Sequence, residues 1–174
     1  FGIGINDLTS KLPSYSTWYS MHRRCYSELY DKNHGGYSEC EVSKEWQILS
    51  NYNNWFNENY IQGYDLDKDL ISNSKIYSED TCIFLPREIN SALQQDKNKN
   101  GLPPGVSYKA SHGKYIAQIS KTRNSVRKNI HICINKDIDY CFNLYKIEKE
   151  KYIKEFAEEF KSKIDSKTYN LLIN

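Results

Sequence analysis

The fold of the second half of the chain depends on one stretch, Lys114-Tyr115-Ile116-Ala117-Gln118-Ile119. Every second residue from Tyr115 to Ile119 is apolar or small, and a period of two is typical of a strand that buries one face. Further strands are predicted at 106–108 and 130–134. A helix of about 25 residues is predicted between Asp137 and Asp165, because acidic residues favour a helix N-terminus and aromatic residues recur along this segment. These patterns predict an α+β protein in which a three-stranded antiparallel sheet packs on a long C-terminal helix.

A polar segment precedes this sheet. Residues 96–105 read Asp-Lys-Asn-Lys-Asn-Gly-Leu-Pro-Pro-Gly, with no helical or strand periodicity, which is typical of a linker. A chain of 174 residues is long enough for one ordinary domain or two small ones. We therefore predict two domains, 1–97 and 98–174.

Positive charge is concentrated in one segment. Residues 97–136 contain nine Lys or Arg and no Asp or Glu, which leaves 15 of the 24 basic residues and all 22 acidic residues for the rest of the chain. The net charge of +2 is therefore a poor guide to binding partners. A local excess of this size, without acidic residues, indicates a surface that neutralises phosphates.

The composition predicts a folded protein outside the membrane. Apolar residues make up only 39% of the chain, but 15 Tyr and 3 Trp supply large side chains for a core. No apolar run is long enough for a membrane span, and no signal peptide is recognisable, so we expect a soluble intracellular protein that is not secreted. The opening Phe1-Gly2-Ile3-Gly4-Ile5 reads like the middle of a strand, and we expect that a preceding segment is missing. Five cysteines without a CxxC pair favour free, mostly buried thiols over disulfides or a zinc site.

Two helices are predicted in the first half. Apolar residues recur at spacings of three and four over 14–30 and again over 44–59. Ser43 is a plausible N-cap for the second of these helices. The apolar faces of the two helices are expected to pack together.

A strand, loop, strand, helix unit is predicted to follow. The first strand covers 65–70, a polar turn covers 72–75, and the second strand covers 82–85. A helix over 86–96 comes next, because the fixed φ of proline suits the first helical position.

Two side chains of this unit are candidate metal ligands. Hydrolysis of a phosphodiester needs a divalent cation held by oxygen ligands and a group that activates the nucleophile. Asp67 is predicted near the end of the first strand and Asn90 just over one turn into the helix. A ββα arrangement would bring the two together, although 22 residues separate them in the sequence.

Several motifs of this region match a known family in order and spacing. They are Leu66-Asp67-Lys68-Asp69, Asn73-Ser74-Lys75, Tyr77-Ser78-Glu79-Asp80-Thr81-Cys82-Ile83-Phe84-Leu85 and Glu88-Ile89-Asn90, with Trp18-x-x-Met21-x-x-Arg24-Cys25-Tyr26 and Glu45-Trp46 upstream. Residues 15–90 thus resemble the HNH (His-Me finger) endonucleases of phages and introns. The resemblance implies an HNH-like ββα-metal core and a DNA endonuclease that uses Mg²⁺ or Mn²⁺. It also implies that Asp67 and Asn90 are metal ligands, that Asn73 is the middle Asn of the catalytic loop, and that the protein acts in the cytoplasm of a phage-infected or intron-bearing cell.

The chain departs from the family at Lys68, where the family has its general-base His. An ammonium group with an ordinary pKa near 10.4 is a poor base at neutral pH. Some relatives that lack the His carry a cation here and a Tyr in the following turn. That pattern implies Tyr77 as nucleophile and Lys68 as electrostatic stabiliser. The alternatives are that Tyr77 is a packing aromatic, Asp67 a turn carboxylate paired with Lys, and Asn90 a surface amide.

The basic segment resembles a second family. Leu102-Pro103-Pro104-Gly105-Val106 and Lys114-Tyr115-Ile116-Ala117 are similar to the start and second strand of the Apetala/ethylene-response-factor DNA-binding domain. That resemblance implies a sheet in the major groove with a helix behind it. Arg123 and Arg127 are candidates for bidentate contacts with guanine. The full set of candidate DNA-binding residues is Arg23, Arg24, Lys109, Lys114, Tyr115, Lys121, Arg123, Arg127 and Lys128.

Three functions remain open at this point. The first is a metal-dependent endonuclease that nicks or hydrolyses double-stranded DNA. The second is a catalytically inactive, HNH-derived protein that binds specific DNA sequences. The third is an interaction module that does not touch DNA. The sequence does not indicate an oligomeric state.

Overall fold

The computed structural model describes residues 2–34, 39–72, 74–94, 101–123 and 126–174. The α+β class is confirmed, as is the packing of a three-stranded antiparallel sheet on a C-terminal helix. The chain divides into two units, Phe1–Pro86 and Arg87–Asn174. The predicted domain boundary between residues 97 and 98 lies outside the described residues.

The first unit contains three helices and two small sheets among its described residues. The elements are α1 (Pro13–Tyr26), α2 (Glu28–His34), β1 (Glu41–Val42), α3 (Leu49–Asn59), β2 (Tyr64–Asp67), β3 (Ile76–Tyr77) and β4 (Ile83–Pro86). Strand β1 pairs with β3 in parallel, and β2 pairs with β4 in an antiparallel register that places Asp67 opposite Ile83.

Both helices of the first half are shorter than predicted. The first is interrupted at Ser27, which has an extended backbone and whose hydroxyl accepts a hydrogen bond from Tyr30 N (3.3 Å). Serine favours such local bonds over helix continuation. The second begins at Leu49 rather than at 44, because Ile48 is extended and forms a bridge with Ile5. Ser43 still accepts a hydrogen bond from Trp46 N (3.3 Å), but it caps a turn ahead of the helix.

Aromatic side chains fill the core of the first unit. Trp18 Nε1 donates to Trp46 O (2.7 Å), which ties α1 to the turn before α3. The buried His22 donates from Nδ1 to Trp18 O (2.9 Å), and burial lowers the pKa of its imidazole, so the ring is neutral at pH 7. The core residues are Trp18, Met21, Cys40, Val42, Trp46, Leu49, Tyr52, Phe56, Leu66, Tyr77, Cys82 and Phe84.

The second unit is a three-stranded sheet covered by helices. Its elements are α4 (Arg87–Leu93), β5 (Val106–Lys109), β6 (Lys114–Arg123), β7 (Val126–Asn135), α5 (Ile138–Glu159) and α6 (Ser166–Ile173). The strand order is β5-β6-β7, and a register irregularity between Ala117 and Gln118 interrupts the pairing of β6 with β7. Helix α4 belongs to this unit, where it contacts α5 and β6 and where Lys149 Nζ donates to Gln94 O (2.9 Å).

The long C-terminal helix begins as predicted and then divides. Asp137 caps α5, because its Oδ1 accepts hydrogen bonds from Asp139 N and Tyr140 N. A second cap at Asp165, which accepts from Thr168 N, starts the separate helix α6. Across the described parts of the chain, every helix is too short or too polar to cross a membrane.

The ends of the predicted α4 differ slightly from the observed ones. Pro86 is the last residue of β4, and the helix begins at Arg87. It ends at Leu93, and residues 95–96 of the predicted helix lie outside the described residues.

Gly105 occupies a position that other residues fit poorly. Its φ is +72°, and a Cβ there would collide with the ring of the buried Tyr145. Gly101 has a similar φ of +71°, but a Cβ at that position would meet no atom within 4 Å. In both alanine variants, we expect the free energy of unfolding to fall by roughly 1 kcal/mol, because alanine is strained in the left-handed conformation. Gly105→Ala should lose about 1–3 kcal/mol more through overpacking, as measured by urea unfolding followed by circular dichroism. Equal stabilities of the two variants would contradict this account.

Candidate nuclease-like site and nucleic-acid interface

Asp67 ends β2 with its carboxylate directed at the following turn. Its Oδ1 accepts hydrogen bonds from Asp69 N (3.0 Å) and Leu70 N (2.8 Å), so the carboxylate holds the chain reversal after the strand. The side chain is half-buried, and this burial raises the pKa of Asp67 above its ordinary value. Asp67 therefore has a structural role in the turn, as one of the sequence-based alternatives proposed, although its expected partner was a lysine.

Lys68, next to Asp67, is a buried cation. Only 6% of Lys68 is exposed, and its Nζ forms an ion pair with the carboxylate of Asp69. The same Nζ donates to Ser74 O (3.5 Å) and lies 5.7 Å from the centre of the Tyr77 ring. An ammonium held in an ion pair has no lone pair with which to accept a proton. The geometry thus favours an electrostatic role for Lys68 over a role as general base.

The other predicted catalytic and metal-binding residues lie in different parts of the chain. Tyr77 is 2% exposed within the core of the first unit, a position that suits a packing aromatic better than a nucleophile that must reach DNA. Asn90 is half-buried on α4 in the second unit, whereas Asp67 belongs to the first. Asn73 lies outside the described residues. The described residues contain no group of three His, Cys, Asp or Glu side chains arranged to hold a metal ion, and the metal site stays a prediction.

The three-stranded sheet has two faces of different character. Residues 117 and 119 are buried on the side of α5, so the even-numbered residues of β6 point to the opposite side. Because paired residues of antiparallel strands share a face, the register assigns residues of β5 and β7 to the same side. We call this side the open face; its residues are Ser107, Lys109, Lys114, Ile116, Gln118, Ser120, Thr122, Arg127, Asn129, His131 and Ile134.

Side-chain contacts agree with this assignment. Ser120 Oγ donates to Asn129 Oδ1 (2.7 Å), and Arg127 Nη2 donates to Ser120 Oγ (2.9 Å), so the three side chains lie on one side of the hairpin. Arg127 is exposed, as is Lys109, and Lys114 is half-buried. The open face thus carries three cations and several hydrogen-bonding groups.

Two of the predicted DNA-binding cations face α5 instead. Lys121 Nζ lies 3.7 Å from Glu148 Oε2. Arg123 forms ion pairs with Glu159 and, at 3.7 Å, with Glu155. The cations of the hairpin therefore lie on both faces of the sheet, and Lys121 and Arg123 have carboxylate partners on α5. The side chains of a strand alternate between faces, so Lys114 and Lys121 point in opposite directions.

The remaining predicted DNA contacts have mixed surroundings. Lys128 is exposed and pairs with Lys121 in the register, while Tyr115 is half-buried, with its ring 5.2 Å from that of Tyr108. In the first unit, Arg23 is exposed with its Cζ 5.1 Å from the centre of the Tyr30 ring, and Arg24 is half-buried.

Sequence reasoning missed the residues of α5 that hold the hairpin. Tyr152 Oη accepts a hydrogen bond from Thr122 N and donates one to Thr122 O, both at 2.8 Å. The carboxylates of Glu148, Glu155 and Glu159 pair with the hairpin cations. Their spacings of seven and four residues place them along one side of a helix, and this periodicity was the available signal.

Comparisons with protein-family models, with curated proteins and with solved structures each found no match for this chain. The two family resemblances therefore rest on the motifs of the sequence alone. DNA binding and cleavage are accordingly treated below as proposals.

Substitutions at Asp67 test its structural role in the turn after β2. Asp67→Ala leaves two backbone N–H groups without their acceptor, and we expect a loss of about 1–3 kcal/mol in the free energy of unfolding. Asp67→Asn keeps the acceptor and removes a charge whose burial opposes folding. At pH 7 it should be at least as stable as the wild type. Because burial raises the pKa of Asp67 in the folded protein above 3.8, the carboxylate binds a proton more readily in the folded than in the unfolded state. The stability of the wild type should therefore approach that of Asp67→Asn as the pH falls towards 3.8. Urea unfolding at pH 7 and pH 4 measures both effects, and a less stable Asn variant at pH 7 would contradict them.

Proposed function

We propose that this chain binds double-stranded DNA through the open face of its β5-β6-β7 sheet. The observation that carries the proposal is the charge of this face. It holds Lys109, Lys114 and Arg127, and the described residues of β5, β6 and β7 include no carboxylate. Helix α5 packs on the other face, whereas Lys109, Gln118 and Arg127 on the open face are exposed. Cations on such a surface release counterions from DNA when they contact phosphates.

The dimensions of the hairpin suit a DNA groove. Lys114 and Thr122, which is paired with Arg127, are eight residues apart along β6. At ~3.3 Å per residue this corresponds to roughly 26 Å. A β-ribbon fits the major groove, where successive base pairs are ~3.4 Å apart. Gln118 and Asn129 lie between the cations, and amide side chains of this type pair with adenine edges.

Binding to duplex DNA should depend steeply on salt. We expect log Kobs to fall linearly with log salt concentration, as measured by fluorescence anisotropy with a labelled duplex. Lys114→Gln and Arg127→Gln should each reduce the magnitude of that slope by ~0.9 for one lost phosphate contact. Lys151→Gln, an equal charge change at an exposed position of α5, is the matched control and should leave the slope unchanged. A wild-type affinity independent of salt, or a control as impaired as Lys114→Gln, would refute the proposal.

Metal-dependent cleavage of DNA is a second candidate function. It is supported by the order β2, β3, β4, α4, with Asp67 at the end of β2, which is the order that the HNH resemblance implies. Because Asp67 Oδ1 already accepts two hydrogen bonds, Oδ2 is the oxygen that would bind Mg²⁺ or Mn²⁺. The paired ammonium of Lys68 could supply positive charge near a phosphate but would not remove a proton. A DNA substrate would place the protein inside a cell, in keeping with the phage-like motifs.

Plasmid nicking distinguishes the endonuclease from a protein that only binds DNA. With Mg²⁺ or Mn²⁺ present, we expect the wild type to nick supercoiled plasmid, and we expect Asp67→Asn and Asn90→Ala to abolish nicking while they retain DNA binding. Tyr77→Phe should retain activity, because the buried ring serves packing. Loss of nicking in Tyr77→Phe would favour the tyrosine nucleophile. If the wild type fails to nick with either metal, the chain is a DNA-binding protein without cleavage activity.

A further inference from the structure

The outer end of the β6–β7 hairpin extends beyond its neighbour in the sheet. Strand β5 pairs with β6 only from Lys114 to Ala117, so residues 118–123 of β6 pair in register with β7 alone. A two-stranded ribbon in water is marginally stable and twists readily. The part of the hairpin that carries Arg127 therefore needs support from outside the sheet.

Three consecutive residues of β6 provide that support by contacting α5. Lys121 pairs with Glu148 at 3.7 Å, and its Nζ also lies 5.1 Å from the centre of the Tyr152 ring. Thr122 binds the hydroxyl of Tyr152 through both its backbone N–H and its carbonyl. Arg123, the last residue of β6, makes the third contact with α5.

Arg123 has the densest set of contacts of the three. Its guanidinium pairs with the carboxylates of Glu159 and Glu155. Its Cζ lies 3.7 Å from the centre of the buried Phe156 ring, which is a cation–π contact. Two carboxylates beside one guanidinium neutralise its charge, so Arg123 is poorly placed to attract a phosphate.

We propose that Arg123 is a positioning residue for DNA binding: it latches the outer end of the β6–β7 hairpin to α5 and thereby holds Arg127 in place on the open face. This inference rests on the proposed DNA-binding function. It assigns the predicted cations two different roles, since Arg127 contacts DNA and Arg123 acts through it. A latched hairpin enters the complex with less conformational entropy to lose, which increases affinity without adding a contact.

The salt dependence of binding separates the two roles. We expect Arg123→Gln to weaken duplex binding by about threefold to tenfold while the slope of log Kobs against log salt stays that of the wild type. Arg127→Gln should instead reduce the slope by ~0.9. Arg123→Lys should also weaken binding, because lysine retains the charge but not the planar fork that pairs with two carboxylates and stacks on Phe156.

Removal of the acidic partners provides the sharper test. Glu155→Gln combined with Glu159→Gln removes two negative charges, and a purely electrostatic account predicts tighter binding to DNA. The latch predicts weaker binding with an unchanged slope, and faster amide hydrogen exchange at the outer end of the hairpin in the absence of DNA. Glu150→Gln combined with Glu158→Gln is the matched control, because among the described residues these exposed glutamates of α5 form no ion pair or hydrogen bond with the hairpin, and Glu158 contacts Lys161 and Tyr169 instead.

The outcomes are distinguishable. Tighter binding by the Glu155→Gln, Glu159→Gln variant, or a slope reduced by ~0.9 in Arg123→Gln, would overturn the latch while the proposed DNA binding stands. If the wild type shows no salt-dependent binding to duplex DNA, both proposals fail. Unchanged hydrogen exchange in Arg123→Gln would also overturn the latch, whatever its affinity for DNA.

Discussion

The packing of one face of β6 against α5 is the contact on which the second unit depends. Ala117 and Ile119 are buried there, against a helix whose inner side presents Tyr145, Tyr152 and Phe156. Burial of this face removes apolar area from water, and it also determines which side of the sheet remains open. The same contact restricts residue 105 to glycine, because the Tyr145 ring occupies the space that a Cβ would need. The packing of α5 on β6 thus both stabilises the second unit and leaves the opposite face of the sheet exposed.

Because side chains alternate along a strand, the cations of the β6–β7 hairpin lie on two faces of the sheet. The strands contribute no carboxylate to the open face among the described residues, so the charge of its cations is available to a partner such as DNA. Lys121 and Arg123, on the helix side, are paired with glutamates of α5 and hold the hairpin in place. Exposed ion pairs contribute little one by one, but here they join a Tyr152 hydroxyl bound to the backbone and a ring contact with Phe156. Such a combination restricts a two-stranded ribbon more than isolated pairs would.

The first unit shows how a lysine is accommodated where the resembled family has histidine. Lys68 is buried, and its charge is balanced by the neighbouring Asp69 and by the carbonyl of Ser74. Both partners belong to the loop between β2 and β3, so the ammonium joins the two ends of this loop. Asp67 organises the same loop through its two backbone hydrogen bonds. The loop is therefore stabilised by an ion pair and by hydrogen bonds to its own backbone.

The sequence by itself determined the elements of the second half, because alternation along β6 and the acidic start of α5 are local signals. It also identified the segment rich in positive charge. It could not show the break of the first helix at Ser27, where a local hydrogen bond competes with the helix, or the late start of α3, which follows from pairing between Ile5 and Ile48. It likewise could not separate Arg123 from Arg127. Only the tertiary structure decided that Arg127 lies on the open face and Arg123 against α5, because the glutamates that engage Arg123 lie more than thirty residues away along the chain, and contacts at that separation leave no local pattern.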